Sequence, residues 1–203
     1  KQLSTWEVTT VERLAVLPLP IQNRPDHGSK EGYIKVREQA RVQVAGRKRG
    51  RPVHEVFEVT DEHGFSLLPE PSPGDVFFDL EGDPFVGLGG REYLFGFAWE
   101  DHTGHRSYDC RWATTADEEK RAFEWFVDSV MRRWPEYSAM HIYHFTPYEP
   151  SALKRLMGRH STREDEIDRM LRAGLFIDLH TVLKRALRAS VEQYSLKALE
   201  VFH

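Results

Sequence analysis

Apolar positions along the middle of the chain come in short runs. Val76-Phe-Phe-Asp-Leu-Glu81 is one, and it ends in acid. Residues 92–99 and 106–112 carry similar runs, rich in aromatic residues, and their length predicts strands. Gly87-Leu-Gly-Gly90 and Asp101-His-Thr-Gly-His105 separate the three, and such short connections imply an antiparallel meander. The period then changes. Thr115-Ala-Asp-Glu118 has the spacing of a capping box, and Phe123, Phe126, Val127, Val130 and Met131 recur at helical spacing up to Pro135. A fourth strand is expected over Ala139–His144, followed by helices from about Pro147 to Gly158 and from Ser161 to Ala173. Ser161-Thr-Arg-Glu164 reads as a second capping box and Gly174 as a helix stop. A fifth strand, Leu175–Leu179, precedes a helix over Thr181–Ala189 and another from Ser195. A meander followed by β-α-β crossovers predicts an α/β fold, a mixed sheet of three antiparallel and two parallel strands flanked by helices.

Residues 1–74 read differently. A short helix is expected over Thr10–Leu17, ended by Pro18 and Pro20, and a second over Glu31–Ala45. Gly46-Arg-Lys-Arg-Gly-Arg-Pro52 reads as a basic loop and Val53–Thr60 as a strand. Leu68-Pro-Glu-Pro-Ser-Pro-Gly74 is the best linker in the chain, which divides it into a helical connector, 1–74, and a domain, 75–203. The chain begins without Met and stops in what reads as the first turns of a helix, so a piece of a longer protein is expected.

With 203 residues, 40% apolar and 12% aromatic, the composition suits a globular protein with a proper core. No apolar run is long enough for a transmembrane helix. Cys110 is the only cysteine, which excludes internal disulfides and suits a reducing, cytoplasmic setting. A net charge of −4 does not advertise nucleic-acid binding, yet a carboxylate-built metal site is compatible with it.

The chemistry-bearing residues are acids at strand ends. Asp79 and Glu81 are two apart, so on a strand they share a face, and neighbouring carboxylates repel unless a cation lies between them. Functional groups of open α/β sheets gather at the carboxyl ends of strands, where Glu149 and Asp178 are also expected. Four acids from three segments fit a Mg²⁺ or Mn²⁺ site of the kind two-metal phosphoryl transfer uses. Each has a structural alternative. Glu149 could complete a capping box with Thr146, Asp178 could cap the next helix, and His144 could be a hydrogen-bonded structural histidine rather than a group orienting water. Asp83 reads as a turn residue, and the His102/His105 pair as exposed. Lys154, Arg155, Lys184 and Arg188 are candidate contacts to a nucleic-acid backbone, Lys184 and Arg188 as helix neighbours four apart.

Phe77-Phe-Asp-Leu-Glu81 resembles the first motif of the DEDD 3′–5′ exonucleases, on the ribonuclease H-like fold. Tyr143 through Leu156 resembles their second motif, and Phe176-Ile-Asp-Leu179 with Tyr194-Ser-Leu-Lys-Ala-Leu199 resembles the stretch between the second and third. Phe78-Asp-Leu-Glu-Gly-Asp-Pro84 and His141 through Leu156 are similar in particular to the ribonuclease H-like domain of predicted RecB-family nuclease proteins of bacteria. The resemblance implies a nuclease hydrolysing phosphodiester bonds of DNA or RNA, with DNA the expected partner ahead of RNA, and with Mg²⁺ or Mn²⁺. Asp79, Glu81 and Glu149 would be metal ligands, and His144 and Asp178 would complete the catalytic set. An upstream RecB-like nuclease and a downstream helicase domain would be partners in a longer chain. Glu149 stands for the usual Asp and His144 for the usual Asn, and the third motif would lie after residue 203. The alternative is a catalytically inactive nucleic-acid-binding or scaffolding domain of the same fold.

Overall fold

The computed structural model describes all residues of the chain except Glu62, Leu88, His102 and His203. The chain divides into two compact units, one of residues 68–181 and one that joins 1–67 to 182–203.

The 68–181 unit is built on a five-stranded sheet. Its strands are β2 (Val76–Asp83), β3 (Arg91–Glu100), β4 (Arg106–Trp112), β5 (Ile142–His144) and β6 (Phe176–Asp178), in the spatial order β4-β3-β2-β5-β6. β2, β3 and β4 pair antiparallel, whereas β5 runs parallel to β2 and β6 parallel to β5. This is the mixed sheet that the pattern predicts, three strands antiparallel and two parallel, with α4 (Ala116–Arg133), α5 (Tyr148–His160) and α6 (Glu164–Arg172) as its helices. One sheet face is dry. Val76, Phe78 and Leu80 point into a core shared with Phe95, Ile142, Phe123, Phe126, Leu153 and Met170, and Phe78 stacks on Phe126 at 3.7 Å. The alternate residues of β2, Phe77, Asp79 and Glu81, stay exposed.

Local signals explain most boundaries. Thr115 and Glu118 form the reciprocal capping box of α4, and Gly174, left-handed at φ +69°, follows the end of α6. The second predicted box does not form. Ser161 is the left-handed C-cap of α5, and α6 starts after Arg163, which instead makes a forked ion pair with Asp128 at 2.7 and 2.9 Å. Nor does Thr146 cap α5: Pro147 takes the N-cap position, with no side-chain cap.

In the other unit, α1 (Gln2–Thr5) and α2 (Val11–Ala15) precede the long α3 (Lys30–Arg49). The expected basic loop is largely helix: Gly46–Arg49 continue α3, and the turn comes at Gly50, where φ is +61°. Arg47 is held there by Glu12 at 3.1 Å and Glu192 at 3.6 Å. The strand expected over 53–60 is shorter, β1 (His54–Val56), and pairs with β7 (Leu187–Ala189). The helix expected over Thr181–Ala189 is therefore cut: α7 (Leu179–Ala186) ends before Arg188, which lies on β7 and shares no helix face with Lys184.

Candidate active site

The carboxyl end of β2 and the first turn of α5 border one open pocket of about 560 Å³. Glu81, Asp83, Glu92, Tyr148, Glu149 and Arg155 line it. The bulge between Glu81 and Gly82 turns the strand end towards it. Gly82 is required by packing, because a Cβ there would clash with Glu92 and lie 2.6 Å from the Tyr148 hydroxyl.

Glu149 is the unusual group. It is 4% exposed, and among the described residues its Oε2 has no hydrogen-bond partner. His144 Nδ1 lies 3.4 Å from that oxygen, close enough for an ion pair by distance alone. The same nitrogen, however, is 2.6 Å from the Thr146 carbonyl oxygen. A carbonyl only accepts, so Nδ1 carries the hydrogen and spends it on Thr146. Glu149 therefore keeps a buried oxygen with an unused lone pair, a group that costs about 1–3 kcal/mol or more if left so.

The loop that brings these groups together is itself strained. Thr146 has φ +81°, a genuine outlier for a β-branched residue. Two bonds hold it there: its carbonyl accepts from His144, and its N–H donates to Asp178 Oδ1 at 3.0 Å. Asp178 also accepts from His180 N at 3.0 Å and from the Thr181 hydroxyl at 2.6 Å, so it caps α7 and ties the loop to β6. Burial pushes the Asp178 carboxyl up, but the bonds from Thr181, Thr146 and His180 outweigh it and hold it below the usual carboxylate range.

The sequence-predicted residues thus fall into groups. Glu81 and Glu149 line one pocket. Asp79 sits one pleat back on the exposed sheet face, opposite Gly96 in register, and does not line it. His144 and Asp178 are register partners on the core-facing side, the side opposite Asp79 and Glu81. Asp83 makes the expected turn, accepting from Phe85 N at 2.8 Å. Among the described residues no three or more His, Cys, Asp or Glu side chains are grouped to hold a metal ion. His102 of the histidine pair lies outside the described residues. Of the basic residues, Lys154 is exposed, but Arg155 pairs with Glu92, and Arg188 lies over the Phe57 ring at 4.9 Å and 3.7 Å from Glu55.

The polar network under the pocket went unread in the sequence. Glu92, 2% exposed, accepts from the Tyr148 hydroxyl at 2.8 Å and from Arg155. Burial first, and then Glu92, push the Tyr148 phenol up to about 12. The Glu92 N–H donates to Glu119, which Arg159 contacts at 3.1 Å and His160 at 2.9 Å. A signal existed. Glu119 falls on the apolar stripe of α4 with Phe123, Phe126 and Val130, where an acid needs partners.

Sheet order, parallel and antiparallel pairing and helix placement define an α/β domain of the ribonuclease H-like class. Residues 76–202, more than half of the chain, match the model of a family in the RNase H superfamily, and the chain belongs to that superfamily. No curated protein and no solved structure matches it.

Proposed function

We propose that the chain carries the nuclease domain of a divalent-metal-dependent enzyme, 3′–5′ exonuclease-like, that hydrolyses phosphodiester bonds of DNA or RNA. The observation that carries this reading is the orphaned, buried Oε2 of Glu149 in a pocket shared with Glu81. Two carboxylates suit Mg²⁺ or Mn²⁺, which take oxygen ligands and, in phosphoryl-transfer sites, bind through one or two carboxylates, waters and substrate phosphate. Glu149 and Glu81 would hold such an ion, and Asp79, two residues back on the same face as Glu81, would join them on loading. The ion when bound would supply a nucleophilic water at neutral pH and charge stabilisation. His144 and Asp178 act as positioning residues: together they hold the strained Thr146 backbone from which α5, and with it Glu149, departs.

Lys154 is the exposed basic residue of this unit proposed to meet the substrate backbone, while Arg155 is committed to Glu92. The placement of the chain in the RecB-family nuclease proteins, with an upstream RecB-like nuclease and a downstream helicase domain, belongs to the same proposal. So does the division into a connector, 1–74, and a nuclease domain, 75–203.

The test is cleavage of end-labelled single-stranded DNA and RNA by the protein with Mn²⁺. Activity lost in EDTA, and reduced at least a hundredfold in Asp79→Ala and Glu149→Gln, is expected. Metal-independent binding without cleavage would favour the inactive, scaffolding reading instead.

A further inference from the structure

The unit formed by residues 1–67 and 182–203 has a cleft of its own, of about 950 Å³, and its charge is opposite to that of the chain. The whole sequence is acidic, with 32 Asp and Glu against 28 Lys and Arg. This cleft carries Lys35, Lys184, Arg185 and Arg188, with Glu192 as the one acid among the described residues that line it, and His63 as well. Glu192 also lies 3.6 Å from Arg47, which does not line the cleft.

The four cations are not equivalent. Arg188 is part of the wall, fixed by Glu55 and Phe57. Lys35 on α3 and Lys184 and Arg185 on α7 are exposed, and none has an ion pair or a side-chain hydrogen bond among the described residues. The walls that present them are tied together by backbone. Phe57 N donates to Ala186 O at 2.8 Å and Gly64 N to Arg185 O at 3.0 Å. On the other side, Gln39 Nε2 donates to Ala189 O at 2.8 Å, and the Tyr194 hydroxyl accepts from Ala189 N at 2.8 Å. Unpaired like charges on a fixed frame repel one another, and an anionic ligand relieves this.

We propose that this cleft binds the phosphate backbone of single-stranded nucleic acid, with Lys35, Lys184 and Arg185 each meeting a phosphate. A cationic groove that tracks the backbone, here also lined by the half-buried ring of Tyr194, is the recurring pattern of sequence-independent strand binding. The choice of nucleic acid over other polyanions rests on the function proposed above, but the site is separate from the carboxylate pocket and needs no metal.

The test is fluorescence anisotropy of a labelled 20-mer oligo(dT) in EDTA, with salt titrated from about 50 to 200 mM, a range over which phosphate contacts are read directly. Each of Lys35→Ala, Lys184→Ala and Arg185→Ala should lower the slope of log K against log salt by about 0.7. Lys48→Ala, an exposed lysine on α3 that does not line the cleft, should leave it unchanged. Circular dichroism melts of each variant exclude unfolding as the cause. No binding in EDTA, unchanged slopes in all three variants, or an equal drop in Lys48→Ala would overturn the proposal. Because no catalysis occurs in EDTA, loss of cleavage elsewhere leaves this result standing, and the converse also holds.

Discussion

The two ends of α5 treat buried carboxylates in opposite ways. Arg155, Arg159 and His160, towards its C-terminus, contact Glu92 and Glu119, and each acid has more than one partner. At its N-terminus Glu149, also buried, is left with an oxygen that no described residue satisfies. Both ends belong to one core, through Ala152, Leu153 and Leu156, so poor packing does not explain the contrast. Donors on α5 satisfy two buried acids from other elements, while the buried acid on α5 itself stays open, which is what the proposed ligand-holding role of Glu149 calls for.

Substitutions at the satisfied end should damage the fold most. Glu119→Ala strips Arg159 and His160 of their shared partner and should cost about 3–5 kcal/mol in urea denaturation. Equal stability to the parent would break the comparison. Arg155→Met, which leaves Glu92 with Tyr148 alone, should cost about 1–3 kcal/mol. If it weakened oligonucleotide binding with stability unchanged, Arg155 would be a substrate contact and not a structural counter-ion.

Asp178 gives a smaller effect with a pH signature. Asp178→Ala removes the cap of α7 and should cost about 1 kcal/mol at pH 7. Its folded carboxyl is depressed, so in the parent this contribution is present above the unfolded value of about 3.9 and is lost as pH falls through the lower folded value. The gap between parent and variant should therefore close in acid. A gap independent of pH down to 2 would contradict the assignment.

Much of the fold could be read from hydrophobic period alone. The run at 76–81 and the stripe at 123–131 gave β2 and α4, because one buried face dominates each. The misreadings occurred where tertiary partners overrule local signals. Ser161 ended α5 instead of opening a capping box with Glu164, and Leu187–Ala189 left a helical pattern to pair with β1. For the site, spacing brought Glu81 and Glu149 to one end of the sheet. It did not show that Asp79 stays outside the pocket, nor that His144 faces the core. Side-chain direction at β5 depends on its register with β2, which no single strand encodes. The role of Arg155 was hidden for a related reason, since its partner Glu92 lies 63 residues away.

The most direct measurement is urea denaturation of the parent and of Glu149→Gln, each in EDTA and with saturating Mn²⁺. In EDTA the variant should be at least as stable as the parent, because a buried unsatisfied carboxylate oxygen is replaced by a neutral amide. With Mn²⁺ at about 100 times its Kd the parent should gain about 2.7 kcal/mol and the variant far less. A variant less stable than the parent in EDTA, or one that keeps the full Mn²⁺ gain, would show that Glu149 is a structural residue like Glu92 and Glu119.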